Sequence, residues 1–250
     1  MKFLTACWSS VLLVTYTAPR DLLTPLLPTG LELDQRDSQC FVSLVAFDFL
    51  DTKVLGVPWP GLRDFPELNL RFYVRQGEHR GVVFVREYVP RRLVAWMARA
   101  FYNEPYRAAP MSSRVIDEAD RLAFELRIAC GGREHFLRAV GEKPVTRPAP
   151  DTVEHFFKEH EWGYNRSRRG LTMRYRVEHP VWDVYRMLDF GVDVDWGLLY
   201  GPQWKIMQCA STYSVVLAVG SRVAVYSGQK LTNLGTSSIC LGNLGRPTKF

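Results

Sequence analysis

Apolar runs and period-two alternation dominate the first ninety positions. Ser10 to Thr17, with Val11 to Val14 at its centre, predicts an opening strand. Pro19 to Leu27 predicts a short leucine-rich helix that Pro28-Thr29-Gly30 ends in a turn. Leu31 to Asp34 and Cys40 to Phe49 are rich in β-branched and aromatic residues and predict two strands, with Asp37-Ser38 as the turn between them. From Thr52 to Pro66, Gly56, Pro58, Pro60 and Gly61 surround Trp59, which makes a loop long enough to cover a pocket mouth. Asn69 to Arg75 alternates again, Gln76 to His79 turns, and Gly81 to Tyr88 returns as the partner arm of a hairpin.

The period then changes. Leu93, Val94, Met97, Ala100 and Phe101 fall at helical spacing within Pro90 to Tyr102, with Arg91, Arg92 and Arg99 outside that stripe. Strands are expected at Met111 to Ile116, Arg121 to Ala129 and His135 to Val140, the last two joined by Gly131-Gly132. A proline-rich connector, Pro144 to Pro150, leads to a second helix opening at Asp151-Thr152-Val153-Glu154 and reaching about Glu161. Leu171 to Val177, Val215 to Gly220 and Arg222 to Tyr226 are the remaining strands, too few for a core of their own. The expectation is therefore a mainly β fold with a few helices (α+β), one domain over residues 1–229 and an irregular tail over 230–250.

Composition narrows the function classes. A net charge of +6 and a pI near 9.1 raise the question of nucleic acid. The basic residues are scattered among the acids, and the densest cluster, Arg166, Arg168 and Arg169, sits in a turn-like stretch, so no nucleic-acid partner is expected. Five widely spaced cysteines, with no paired spacing, read as reduced apolar residues; neither they nor His155 and His160 offer a metal site. No apolar run is long enough to span a membrane, and the export-like residues at the N-terminus lack a clean cleavage site, so the location expected is the cytoplasm.

Several motifs resemble a known family. They are Trp8 with Val11 to Tyr16, the Leu-Leu-Pro-x-Gly-Leu-Glu-Leu entry at 26 to 33, Asn69-Leu70-Arg71-x-Tyr73-Val74, Pro105-Tyr106 with Met111, His179-Pro180-x-Trp182, and Val223 to Tyr226. Together, over about residues 3 to 228, they are similar to the bacterial YqjF-like family of unknown function, placed by fold in the acetoacetate decarboxylase-like superfamily. The resemblance implies a closed antiparallel double-cone β-barrel around a ligand cavity. It also implies a test of mechanism, because the decarboxylase uses a buried lysine, activated by a second lysine, to form a Schiff base. The equivalent turn is Tyr102 to Arg107, where Tyr106 and Arg107 stand in place of the lysine pair, and no lysine occurs from Val54 to Glu142.

The chemistry left to such a cavity falls on a few side chains. Arg71, sharing its strand face with Tyr73 and Arg75, can clamp a carboxylate, or pair with Glu87 across the hairpin. Glu87 is a general base if desolvated, Tyr106 a hydrogen-bond donor to an enolate oxygen, and His179 a proton carrier beside a wall formed by Trp182. Glu87, Tyr106 and His179 are thus the expected catalytic groups, and Arg71, Tyr73, Arg107 and Trp182 the expected ligand contacts. Asp193 and Asp195 read as turn-forming residues. The function expected is a small-molecule-binding barrel, a cofactor-independent lyase or hydratase on a carbonyl or carboxylate compound. A non-catalytic carrier or sensor is the alternative, and a homo-oligomer stays open.

Overall fold

The computed structural model describes residues 1–101, 103–167 and 169–231. Tyr102, Arg168, Cys240 and the expected tail from 232 onward lie outside the described residues. The elements are β1 (Lys2–Ala18), α1 (Arg20–Leu23), β2 (Glu32–Leu33), β3 (Cys40–Val54), β4 (Phe65–Gln76), β5 (His79–Val89), α2 (Arg92–Phe101), β6 (Tyr106–Ala108), β7 (Met111–Asp117), β8 (Arg121–Cys130) and β9 (Arg133–Thr146). They continue with α3 (Val153–Lys158), β10 (Trp162–Arg166), β11 (Thr172–Glu178), β12 (Val184–Asp193), α4 (Trp196–Tyr200), β13 (Thr212–Tyr226) and β14 (Gln229–Lys230).

The strands form a ring with a second leaf. Hydrogen bonding runs β11-β10-β5-β4-β3-β1-β13, and a further β11–β13 pairing returns the path to its start. From β13 the sheet also continues through β12, β9 and β8 to β7. The expected mainly β class holds, and pairing is antiparallel except where β10 and β6 run parallel to β5. Gly81 permits that β5–β10 junction, since a Cβ there would lie 2.4 Å from the Trp162 carbonyl oxygen. Among the described residues, no helix is long and apolar enough to cross a membrane.

Central strands are buried on both faces, which is why their sequences read as apolar runs. Leu12, Val14, Leu44, Leu68, Leu70 and Phe72 pack into one core with Trp196, Tyr200 and Trp204. Val11, Leu13, Phe47, Phe65, Tyr73, Phe157 and Trp182 belong to a second core on the opposite face. Alternation along β4 therefore has a meaning beyond packing: its even positions enter the first core, and its odd positions, Glu67, Asn69 and Arg71, turn toward the second.

Several expectations are corrected. β1 begins at Lys2 rather than Ser10, and the two late strands are one, β13, kinked at Gly220, whose φ is +83°. The Pro144 connector starts later, because β9 runs on to Thr146. The helix expected to reach Glu161 ends at Lys158, capped by the Thr152 side chain accepting from the His155 amide at 3.3 Å. β10, β12, α4 and the 3-10 segment Pro202–Cys209 were not foreseen. β12 lacks a readable alternation because beyond Tyr185 its residues are half-buried or exposed, and pairing with β9 holds it. Asp195 caps α4 through the Leu198 amide, and Asp193 pairs with Arg133.

Candidate active site

Within the ring, the second core leaves a cavity of about 150 Å³. That is room for a molecule of about benzene's size. Most of its wall is apolar, supplied by Trp8, Phe47, Phe49, Phe65, Phe84 and Trp182 among others. Its polar end is built from Glu67, Asn69, Arg71, Glu87, Glu104, Tyr106 and Tyr175.

Strand register brings these groups together. Register sets Asn69, two residues before Arg71, opposite Glu87, and a bulge between Leu70 and Arg71 sets Arg71 opposite Phe84. Arg71 accordingly does not pair with Glu87. Its guanidinium donates to the Phe157 carbonyl at 2.8 Å and lies 5.7 Å from the Tyr73 ring centre, while its buried Nε has no partner among the described residues. β6, parallel to β5, sets Tyr106 beside Glu87, and the Tyr106 hydroxyl donates to Glu67 Oε2 at 2.7 Å. Asn69 donates to Glu67 Oε1 at 3.0 Å. Glu104, in the turn between α2 and β6, accepts from Asn165 of β10 at 3.0 Å.

Three glutamates thus share a buried space, Glu67 and Glu87 at 2 % exposure and Glu104 at 4 %. Burial pushes Glu67 and Glu104 each up to about 7, against the pull of their hydrogen bonds. Glu87 is pushed well above the usual carboxylate range, first by burial and then by the charges of Glu67 and Glu104. Its Oε1 has no hydrogen-bond partner among the described residues. The same surroundings raise the Tyr106 phenol, so it stays a donor. A neutral carboxyl beside ionisable ones can give a proton while its neighbours take one, with the transition placed near neutral pH.

Of the residues singled out in the sequence, Arg71, Glu87, Tyr106 and Trp182 line this cavity. Tyr73 is not part of its lining; it lies under α3, its hydroxyl shared with Ser43. His179 stacks on Trp182 at 4.2 Å, is not among the residues lining the cavity, and borders a separate groove with Lys2, Lys53 and Arg222. Arg107 is exposed, because the residue after an inward Tyr106 on a strand points outward. Sequence reasoning missed Glu67, Asn69, Glu104 and Tyr175. The signal for the first two was legible, as the polar residues Glu67, Asn69 and Arg71 alternating with the apolar Leu68, Leu70 and Phe72 along one strand.

A model of the DUF2071 family, described as uncharacterized conserved proteins, matches residues 5–222. The chain belongs to the DUF2071 family. The uncharacterized protein YqjF of Bacillus subtilis (strain 168) is 36 % identical over 107 residues, 42 % of this chain and 44 % of that protein. The match thus spans less than half the length of that relative. Among solved structures, the acetoacetate decarboxylase of Legionella pneumophila superposes with a TM-score of 0.62 at 13 % identity, covering 91 % of this chain and 87 % of that one. An acetoacetate decarboxylase-like enzyme from Sphingomonas wittichii RW1 gives 0.63 at 12 %, covering 92 % and 94 %, and the enduracididine biosynthesis enzyme MppR gives 0.64 at 11 %, covering 94 % and 89 %. At such identities these likenesses establish the acetoacetate decarboxylase-like fold of the DUF2071 chain and nothing of its chemistry. Among the described residues lining this DUF2071 cavity there is no lysine.

Proposed function

We propose that the cavity binds a small, largely apolar carbonyl or carboxylate compound and moves a proton on it without a Schiff base or cofactor. The observation that supports this best is Glu87, a buried carboxyl held protonated beside two others poised near neutral, with one oxygen left without a partner. Glu87 is the proton donor and acceptor, Glu67 and Glu104 exchange charge with it, and Tyr106 hydrogen-bonds the substrate oxygen while bound to Glu67. Arg71, whose Nε is unpartnered, anchors an anionic end where one is present. The aromatic wall excludes water, which strengthens each of these interactions.

The test is exchange of the protons α to the carbonyl in D2O, followed by NMR with pyruvate, 2-oxobutyrate and acetoacetate, together with thermal shift of the wild type and Arg71→Ala. Exchange that survives borohydride treatment of the protein is expected, with stabilisation by the acids reduced in Arg71→Ala. Ligand-induced stabilisation with no exchange would favour a carrier, and exchange abolished by borohydride together with substrate would restore a lysine mechanism.

A further inference from the structure

The roof of the cavity carries a surface that its interior chemistry does not use. Residues 55 to 61, Leu-Gly-Val-Pro-Trp-Pro-Gly, are all exposed, with Leu55 at 55 %, Val57 at 50 % and Trp59 at 48 %. Beside them, α2 buries Ala95 and turns Val94, Met97 and Ala98 to the cavity, but its outer face presents Leu93 at 52 % and Trp96 at 57 % exposure. Loop and helix adjoin, since a Cβ on Gly61 would sit 3.2 Å from the Arg91 guanidinium. Five large apolar side chains therefore stand in water around the roof of the cavity, an arrangement soluble surfaces rarely keep without a use.

Charge decides what that surface fits. Arg91, Arg92 and Arg99 are exposed on the same helix, and none pairs with a carboxylate among the described residues; Arg99 reaches only the Tyr106 carbonyl, at 3.2 Å. Arg63, by contrast, is neutralised by Asp51 at 2.8 Å. From 90 to 101 and from 55 to 62 the chain holds no acid. Exposed tryptophans and leucine ringed by unpaired arginines match the headgroup layer of an anionic bilayer, where indole rings sit at the interface and guanidinium groups meet phosphates.

We propose that the roof formed by residues 55–61 and α2 docks on an anionic lipid surface, with Trp59, Leu93 and Trp96 inserted and Arg91, Arg92 and Arg99 on the headgroups. This places the roof of the cavity against the membrane, so that an apolar ligand can enter from the lipid. It holds whether or not the glutamates transfer protons.

Co-sedimentation of the full chain with vesicles of phosphatidylcholine, with and without phosphatidylserine, tests it. Binding to the phosphatidylserine vesicles at low salt, lost at high salt, is expected. Each arginine near such a surface contributes about fivefold in affinity, so Arg92→Glu with Arg99→Glu should weaken binding by twentyfold or more. Trp59→Ala with Trp96→Ala should weaken it as well; should that variant fold poorly by circular dichroism, the arginine pair, exposed and without side-chain partners in the core, carries the test. Protein that stays in the supernatant under every condition overturns the proposal. So does equal binding to neutral vesicles by the arginine variant, or a concentration-dependent dimer without lipid that Trp96→Ala dissolves, which would assign the face to a second copy.

Discussion

Replacing Glu87 with glutamine is expected to raise the melting temperature at alkaline pH and to lower α-proton exchange by about 10²- to 10⁴-fold, the usual contribution of a positioned acid–base group. The two effects share one cause. A folded-state pKa above the unfolded value means that the stability the group contributes is fully present below the unfolded value and is lost as pH rises through the folded one. For Glu67 and Glu104 that window runs from the ordinary carboxylate value of 4.5 to about 7, and the same sign holds for Glu87, whose proton is held by burial and by the charges of Glu67 and Glu104. A rise from 4.5 to about 7 corresponds to roughly 3 kcal/mol withdrawn for one such buried carboxyl. In a chain of this size about 1 kcal/mol moves the melting temperature by 2–4 °C, so the wild type should melt several degrees lower at pH 8 than at pH 5. Glutamine cannot ionise and can donate to Glu67 or Glu104, so the variant should keep more of its stability at alkaline pH, with the gap narrowing as the pH falls. Melting curves across that range check this, and a variant that tracks the wild type at every pH would mean that Glu87 never carries charge. The stability lost in the wild type at high pH is the cost of keeping ionisable carboxyls buried.

Gly220→Ala should be strongly destabilising. Gly220 stands opposite Ser9 in the β1–β13 ladder with φ at +83°, and a Cβ there would lie 2.1 Å from the Trp8 carbonyl oxygen and 2.8 Å from its carbon. Both are backbone atoms of a paired strand and cannot swing away. Ser10, one residue on, has φ at +54°, and the β1–β3 register shifts between Ser9 and Leu12, so both strands bend at this point. That bend carries Trp8 and Val11 into the cavity wall. The loss expected is on the order of 3 kcal/mol or more, read from urea unfolding. Gly132→Ala is the control: φ there is +81°, but nothing lies within 4 Å of the added carbon. Only the backbone penalty of about 1–2 kcal/mol applies at that turn, so equal losses in the two variants would refute the clash.

Local pattern reached far in this chain wherever one face was buried and the period was clean. The β4–β5 hairpin and α2 appear where alternation and helical spacing put them. The site was legible in part, since Arg71, Glu87, Tyr106 and Trp182 all line the cavity, while Tyr73, His179 and Arg107 do not. Those three lie outside its lining. Tyr73 packs against Phe157 of α3, His179 stacks on Trp182 and borders a separate groove, and strand alternation turns Arg107 outward. Asp195, by contrast, was readable as a turn former because capping is a local interaction.

The sequence alone determined a mainly β chain, a family, and a lysine-free stretch from 54 to 142, since propensity, motif and composition are properties of neighbouring residues. Only the tertiary structure decided that Glu67, Glu87 and Glu104 meet. They come from β4, β5 and the turn before β6, and whether three such carboxyls repel in water or hold protons in a buried cavity depends on distances and burial that no local pattern encodes. The register that sets Asn69, and not Arg71, opposite Glu87 is of the same kind: which side chains face each other becomes visible only once the two strands are paired.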